Sequence, residues 1–252
     1  MRLKNKVCII TGIGSGIGQA GALLFAKEGA KVVGADVNAE TGAQTVKQIK
    51  DAGGEAVFCR TDVSKSADVE RLVKTAVDAY GRLDVLYNNA AIFHTQDHFL
   101  EEISEEVWDN TMTVNLKGVF LCCKHALPAL RKGGGGAIVN TASTAAMRAS
   151  ERPTYATSKG GVVALTLTMA RLYAKDHIRV NVICPGPTDT PMSRRSWDTG
   201  KAATLVFPQM ATLLERRAQP VEIAEAALFL ASDAASFITG AVLNVDGGSS
   251  AR

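Results

Sequence analysis

Tyr155 and Lys159 stand four residues apart in the run Thr154–Lys175, whose apolar periodicity predicts a helix, so both side chains project from one face. A phenol beside an ammonium can hold and release a proton. An ordinary phenol titrates near pKa ~10; serving as a base at neutral pH takes a drop of about three units, roughly 4 kcal/mol of differential stabilisation by nearby positive charge. Ser143, just past the run Ala137–Thr141, carries a hydroxyl able to donate to an oxygen that gains negative charge. Each feature has a plain alternative. Tyr-x-x-x-Lys is commonly a helix surface, and a serine commonly closes a strand.

A second cluster, Thr11-Gly12-Ile13-Gly14-Ser15-Gly16-Ile17-Gly18, joins the strand Val7–Thr11 to a helix from about Gly16 to Gly29. Glycines let such a turn close tightly and approach a pyrophosphate, while the open N–H groups and dipole of the helix start favour its negative charge. Asp36 ends the next strand, where a carboxylate can accept from both adenosine ribose hydroxyls and repel a 2′-phosphate. No Arg or Lys stands at position 14 or 15, and Val37 and Asn38 follow Asp36. The expected cofactor is therefore NAD.

These groups must be positioned by the rest of the chain. Short β-branched runs alternate with amphipathic ones: strands are expected at Val7–Thr11, Lys31–Asp36, Ala56–Thr61, Leu83–Asn88, Ala137–Thr141, Ile178–Cys184 and Ala241–Val245. Helices are expected at Ala39–Ala52, Ser66–Tyr80, Glu105–Leu130, Thr154–Lys175 and Val221–Ser232, besides the first. Seven strands separated by helices predict an α/β fold: one doubly wound Rossmann-type domain over 1–252, with a seven-stranded parallel sheet and helices on both faces. The stretch from Pro185 to Pro220 breaks the rhythm, and its part at about 188–217 reads as a substrate lid.

Taken in order, the motifs resemble the short-chain dehydrogenase/reductase family across essentially the whole chain. Thr11-Gly-x-x-x-Gly16-x-Gly18 is similar to its cofactor turn, Asp62-Val63 to its adenine contact and Asn88-Asn89-Ala90 to its sheet-stabilising segment. Asn115, Ser143, Tyr155 and Lys159 fall at the positions of its catalytic tetrad. Pro185, Gly186, Thr188 and Thr190 fall where it holds the nicotinamide. The resemblance implies hydride transfer between nicotinamide and a secondary alcohol or ketone. Tyr155 would be the general acid/base, helped by Lys159 and the positive nicotinamide ring; Ser143 would bind the substrate oxygen, and Asn115 a water that links Lys159 to solvent. It also implies a homotetramer. Ala91 and Ala146 stand where the family often has glycine, a departure that bears on the pocket rather than the chemistry. Two alternatives remain: a 3-oxoacyl-carrier-protein reductase, and a non-catalytic NAD-binding sensor.

Composition narrows the partners. The 28 basic and 25 acidic residues are spread without a basic block, so nucleic acid is not implied. No apolar run approaches the ~20 residues of a membrane span, and a charged start leading straight into a strand reads as a soluble, unprocessed, cytoplasmic protein. The five cysteines form no CxxC pair and read as buried free thiols, with Cys122 or Cys123 as a weaker candidate for a reactive one. His94 and His98 share helical spacing but lack the rest of a metal motif; no metal is expected, and His94 is a candidate substrate contact. Arg194 and Arg195 are candidates for pairing with a substrate carboxylate. Met192, Trp197, Leu205, Phe207 and Met210 would line an apolar lid, beside Lys201.

Overall fold

The computed structural model describes residues 1–197 and 212–251. Its strands are β1 (Val7–Thr11), β2 (Lys31–Asp36), β3 (Glu55–Arg60), β4 (Val85–Asn88), β5 (Gly136–Thr141), β6 (Ile178–Pro185) and β7 (Val242–Val245). They form one sheet in the order β3-β2-β1-β4-β5-β6-β7, every neighbouring pair parallel. The expected seven-stranded doubly wound sheet is present, with strand ends shifted by one or two residues. Leu83 and Asp84 precede β4 instead of opening it. The Asp84 carboxylate accepts from the Val7 N–H at 2.9 Å and so ties the approach to β4 onto β1.

The helices are α1 (Gly16–Lys27), α2 (Ala39–Asp51), α3 (Ser66–Tyr80), α4 (Glu105–Met112), α5 (Gly118–Lys132), α6 (Pro153–Tyr173), α7 (Pro191–Trp197) and α8 (Pro220–Ala231). Alternate residues of β1 serve opposite layers. Val7 and Ile9 pack with residues of α3, α5 and α6, whereas Cys8 and Ile10 pack with residues of α1, α2 and α8. Burial on both faces is why the strands read as continuous apolar runs rather than alternating ones. Below the sheet's working edge, the buried Asn88 donates to Asn140 and Asn140 donates to Thr166, both at 2.9 Å, linking β4, β5 and α6 through side chains.

From β1 the chain winds outward through β2 and β3, then returns to place β4 on the other side of β1. Connections leave in opposite directions from that point, and their divergence opens a crevice at the carboxyl ends of the strands. The run expected as one helix over Glu105–Leu130 is continuous from α4 to α5 but contains a π-helical turn at Thr113–Lys117. Such a turn admits one extra residue and rotates its side chains out of the regular helical register. Asn115, on this turn, is fully buried.

The expected lid is pinned at its ends: Asp189 donates to the Ala218 carbonyl and Ala218 to the Pro187 carbonyl, both at 2.9 Å. Helix α7 lies inside this span. Lys201, Leu205, Phe207, Met210 and the Trp197 side chain lie outside what is described.

Candidate active site

A cleft of about 530 Å³ follows the crevice across the ends of β1, β2, β4, β5 and β6. One end is built mainly of backbone. Gly12 and Gly16 take positive φ values of 75° and 57°, which glycine adopts without steric cost. Gly18 is not on the cleft wall: a Cβ there would lie 2.0 Å from the Gly12 carbonyl oxygen, so its role is to let α1 close on the turn. Ser15, Gly16 and Ile17 line the cleft at the start of α1. The Ser15 side chain does not cap that helix, and no acidic residue occupies its first turn. The N–H groups and dipole of α1 are thus presented to the cleft, which fits a pyrophosphate.

Asp36 lines the same end. Its Oδ2 accepts from Gly14 N–H at 2.7 Å and its Oδ1 from Asn38 N–H at 2.9 Å, fixing the carboxylate on the wall. A Cβ at Gly14 would fall 2.4 Å from Thr41 Oγ1 and 2.9 Å from Asp36 Oδ2. Position 14 therefore has no room for a basic side chain while this carboxylate stays in place. Asn89 and Ala90 close the floor: the Thr11 hydroxyl accepts from both of their N–H groups, at 3.0 and 3.1 Å, tying the ends of β1 and β4 together.

The other end is built of side chains. Pro153 begins α6, and its exposed N–H groups are taken by a residue from another segment: Asp97, after β4, accepts from Thr154 N–H at 2.9 Å and Tyr155 N–H at 2.8 Å. This distant cap fixes the turn that carries the phenol. Tyr155 packs edge-on against Phe93 at 6.1 Å between ring centroids. Lys159, one turn on and buried, donates to the Thr141 carbonyl at 2.9 Å and holds its Nζ 5.6 Å from the Tyr155 ring centroid. Ser143 accepts from Ala145 N–H at 3.1 Å, which orients the hydroxyl at the mouth of β5 within reach of Tyr155.

Burial dominates the electrostatics. It pushes the Tyr155 phenol up to about 12, against the downward pull of the Ser143 hydrogen bond. It pulls the Lys159 ammonium down to about 8, against an opposing Coulombic contribution from Cys184. Unaided, the protein's own groups leave Tyr155 a proton donor. Positive charge beside the phenol, from Lys159 and from any cation brought to the cleft, would lower its pKa.

The cleft thus gathers Gly12, Ser15, Gly16, Ile17 and Asp36 at one end with Ser143, Tyr155 and Lys159 at the other; Asn89, Ala90, Pro185, Gly186, Thr188 and Thr190 lie on the wall as well. Asp62, Val63 and Asn115 are not on the wall. Asp62 accepts from the Ser64 N–H and hydroxyl, and Val63 packs against Gly118. Asn115 accepts from Ile92 N–H at 2.8 Å and donates to the Ile92 carbonyl at 3.0 Å and to Ser158 Oγ at 3.3 Å. Its side chain clamps the loop after β4 to α6 and reaches Ser158 rather than Lys159.

Of the other candidates, Arg195 lines the cleft, while Arg194 is held by Asp189 in a two-bonded pair at 2.7 and 2.8 Å. His94 lies off the wall near Asn110, and its neighbour Phe93 takes the place on the wall. All five cysteines are free and buried; burial raises Cys122 and Cys123, the latter to about 12, which keeps both thiols protonated and unreactive. Asp97, Phe93, Arg148 and Arg152 were not singled out from the sequence. Pro153, at the first position of α6, and the two arginines between Ser143 and Tyr155 are the sequence signals that could have pointed to Asp97, Arg148 and Arg152.

A family model described as enoyl-(acyl carrier protein) reductase matches residues 12–250. The chain is 42% identical to the cis-4-hydroxycyclohexanecarboxylate dehydrogenase of Sinomonas cyclohexanicum, over 97% of this chain and 96% of that protein. It is 40% identical to the 3-oxoacyl-(acyl-carrier-protein) reductase of Thermotoga maritima, over 98% and 99% respectively. Its structure is similar to that of a short-chain dehydrogenase/reductase from Burkholderia xenovorans, with a TM-score of 0.94, 38% identity and coverage of 100% of this chain and 98% of that one. The cleft, its ordered motifs and these likenesses agree, and the chain belongs to the short-chain dehydrogenase/reductase family of oxidoreductases.

Proposed function

We propose that this protein is an NAD-dependent dehydrogenase acting on a small secondary alcohol or its ketone. The observation that carries this reading is the convergence of Ser143, Tyr155 and Lys159 at one end of a cleft whose other end pairs an open helix start with Asp36. Asp36 favours NAD over NADP, because a 2′-phosphate would meet a carboxylate fixed on the wall by two N–H donors. Gly12, Ser15, Gly16 and Ile17 would hold the pyrophosphate, and Thr188, Thr190, Pro185 and Gly186 the nicotinamide end. Gly18, Asp62 and Val63 would act by packing and by supporting the wall.

When bound, the cofactor supplies a hydride acceptor and a positive ring next to Tyr155. The remaining work falls to the chain. Ser143 orients the substrate oxygen through its hydroxyl, and Tyr155 removes the hydroxyl proton in oxidation or returns it in reduction. Lys159 stabilises the phenolate by its charge and, through Thr141, stays tied to β5. Asn115 holds the loop after β4 against α6, which keeps Phe93 and Tyr155 in register. Residues 188–197 and 212–217 would border the substrate. A homotetramer is the expected assembly; Val221 and Phe229 on α8 and the fully exposed Phe237 are apolar residues free to enter an interface.

The printed name of the Thermotoga relative favours acyl-carrier substrates, whereas that of the Sinomonas relative points to a hydroxyl on a six-membered ring. A non-catalytic sensor would have no need of the complete Ser143, Tyr155 and Lys159 set. Spectrophotometric assay of cyclic and acyclic secondary alcohols with each cofactor tests the proposal. NADH formation, with NADP turned over far more slowly, is expected; a preference for NADP or turnover of no alcohol would overturn it.

A further inference from the structure

The substrate end of the cleft carries an excess of positive charge that the hydride-transfer chemistry does not use. Asp36 is the one carboxylate among the described lining residues, and it stands at the opposite end. Arg216, on the wall, is already paired with Glu222. Arg152 differs. Its guanidinium is half-buried, lies 4.8 Å over the Phe93 ring and has no carboxylate within ion-pair distance among the described residues. The Phe93 ring in turn meets Tyr155 edge-on, so the guanidinium stands one aromatic ring away from the reacting phenol.

The geometry of Arg152 leaves one edge open. Its Nη1 donates to the Asp97 carbonyl at 3.3 Å and lies 3.2 Å from both ring nitrogens of His98. The Asp97 carboxylate is already engaged by two backbone N–H groups of α6 and acts on Arg152 only through space, as does Glu151. Nε and Nη2, the pair that forms a two-pronged fork with a carboxylate, have no hydrogen-bond partner among the described residues. Burial depresses the charged form of this arginine, a cost that an anion on the open edge would offset. Phe93 stands between Arg152 and Tyr155, and Ala91, Ala145 and Met192 add apolar lining to the same cleft.

We propose that this end of the cleft is a carboxylate subsite, in which the Nε–Nη2 edge of Arg152 holds the carboxylate of a hydroxy acid whose apolar, ring-sized body spans to Tyr155 and Ser143. This rests on the dehydrogenase reading and names its substrate class. In the oxidation, the carbinol C–H leaves as hydride to NAD, the O–H proton passes to Tyr155, and the products are the oxo acid, NADH and one proton; the carboxylate is unchanged. The carboxylate serves to bind and orient the carbinol.

The test compares 4-hydroxycyclohexanecarboxylate with its neutral carboxamide in steady-state assays, and titrates cyclohexanecarboxylate calorimetrically into NADH-saturated protein. The wild-type protein is expected to favour the acid over the carboxamide by about 100-fold in kcat/KM, the size of a charge-assisted pair of hydrogen bonds. Arg152→Gln is expected to bring that ratio to within about fivefold of unity and to weaken cyclohexanecarboxylate at least about tenfold. Arg152→Lys, which keeps the charge but not the fork, gives an intermediate ratio and serves if the glutamine variant does not fold. Equal use of acid and carboxamide by the wild type overturns the subsite while leaving the dehydrogenase reading in place. A preference that survives in Arg152→Gln also overturns it, leaving Arg152 as packing for Phe93 and Asp97. Arg152-dependent carboxylate binding without turnover of any alcohol sustains the subsite and rejects the dehydrogenase reading; neither binding nor turnover rejects both.

Discussion

The two ends of the cleft are made of different material. The dinucleotide end is largely backbone, from one continuous turn and the tips of adjacent strands: Gly12 to Ile17, Asp36, Asn89 and Ala90. The chemical end is assembled from side chains on separated segments: Ser143 after β5, Tyr155 and Lys159 on α6, Phe93 after β4, and Arg148 and Arg152 between the first two, with Asp97 behind them at the start of α6. The contrast extends to energetics. Asp36 sits partly buried with two N–H donors, whereas Tyr155, partly buried, and Lys159, fully buried, are desolvated enough to move both titrations far from their ordinary values. Backbone can present donors without burying charge; acid–base chemistry requires burying groups that resist it.

The contrast can be broken first at the phenol. Tyr155→Phe removes the proton carrier without touching the glycine turn, so kcat is expected to fall by about 10³-fold or more while NAD binding measured by calorimetry changes by less than about threefold. Retained turnover would place the acid/base elsewhere. Lys159 is the next largest. Its folded pKa, about 8, is depressed below the unfolded value of 10.5, so the burial cost is fully present below pH 8 and disappears as pH rises from 8 to 10.5. Lys159→Met, though catalytically impaired, should gain stability relative to the wild type at pH 7 and lose about 3 kcal/mol of that relative advantage by pH 10.5 in denaturant titrations. A pH-independent difference would mean the ammonium is not desolvated in the folded chain.

At the other end, Asp36→Ala removes an acceptor and a repulsive charge without disturbing the proton-transfer residues. It should weaken NAD by about 10- to 100-fold, and NADP by much less, with kcat at saturating NAD reduced only modestly. Equal weakening of both cofactors would show that Asp36 acts only through Gly14 and the shape of the turn. The smallest effect is expected at Asp97. Asp97→Ala leaves two N–H groups at the start of α6 without their acceptor and should cost about 1–2 kcal/mol in stability, with a loss in kcat larger than any change in NAD affinity. An unchanged kcat would uncouple this cap from the placement of Tyr155.

The same division governs what was legible before the structure. The parallel sheet, the glycine turn and Asp36 were readable because hydrophobic periodicity and turn chemistry are local properties of the chain. The pairing of Tyr155 with Lys159 was readable because one helical turn brings them together. The π-helical turn at Thr113–Lys117 was not, since one extra residue in a helix leaves the apolar pattern of α4 and α5 nearly intact. Nor was the engagement of Asn115 with Ile92, which depends on where the loop after β4 returns. The basic residues of the lid drew attention to Arg194, yet Asp189, five positions earlier, satisfies that side chain outside the cleft.

The amino-acid sequence alone determined the order of the strands along the chain, the position of the glycine turn at the start of α1 and the placing of Tyr155 and Lys159 on one helix face. These follow from periodicity, glycine geometry and spacing within one helix. Only tertiary structure decided that Asp97 would cap α6, that Phe93 would stand between Arg152 and Tyr155, and that Arg152 would join the cleft wall. Those relations join residues about 55 to 60 positions apart and depend on how the loop after β4 folds back over the start of α6. No repeat or spacing rule records such a meeting; packing and the satisfaction of buried N–H groups bring it about.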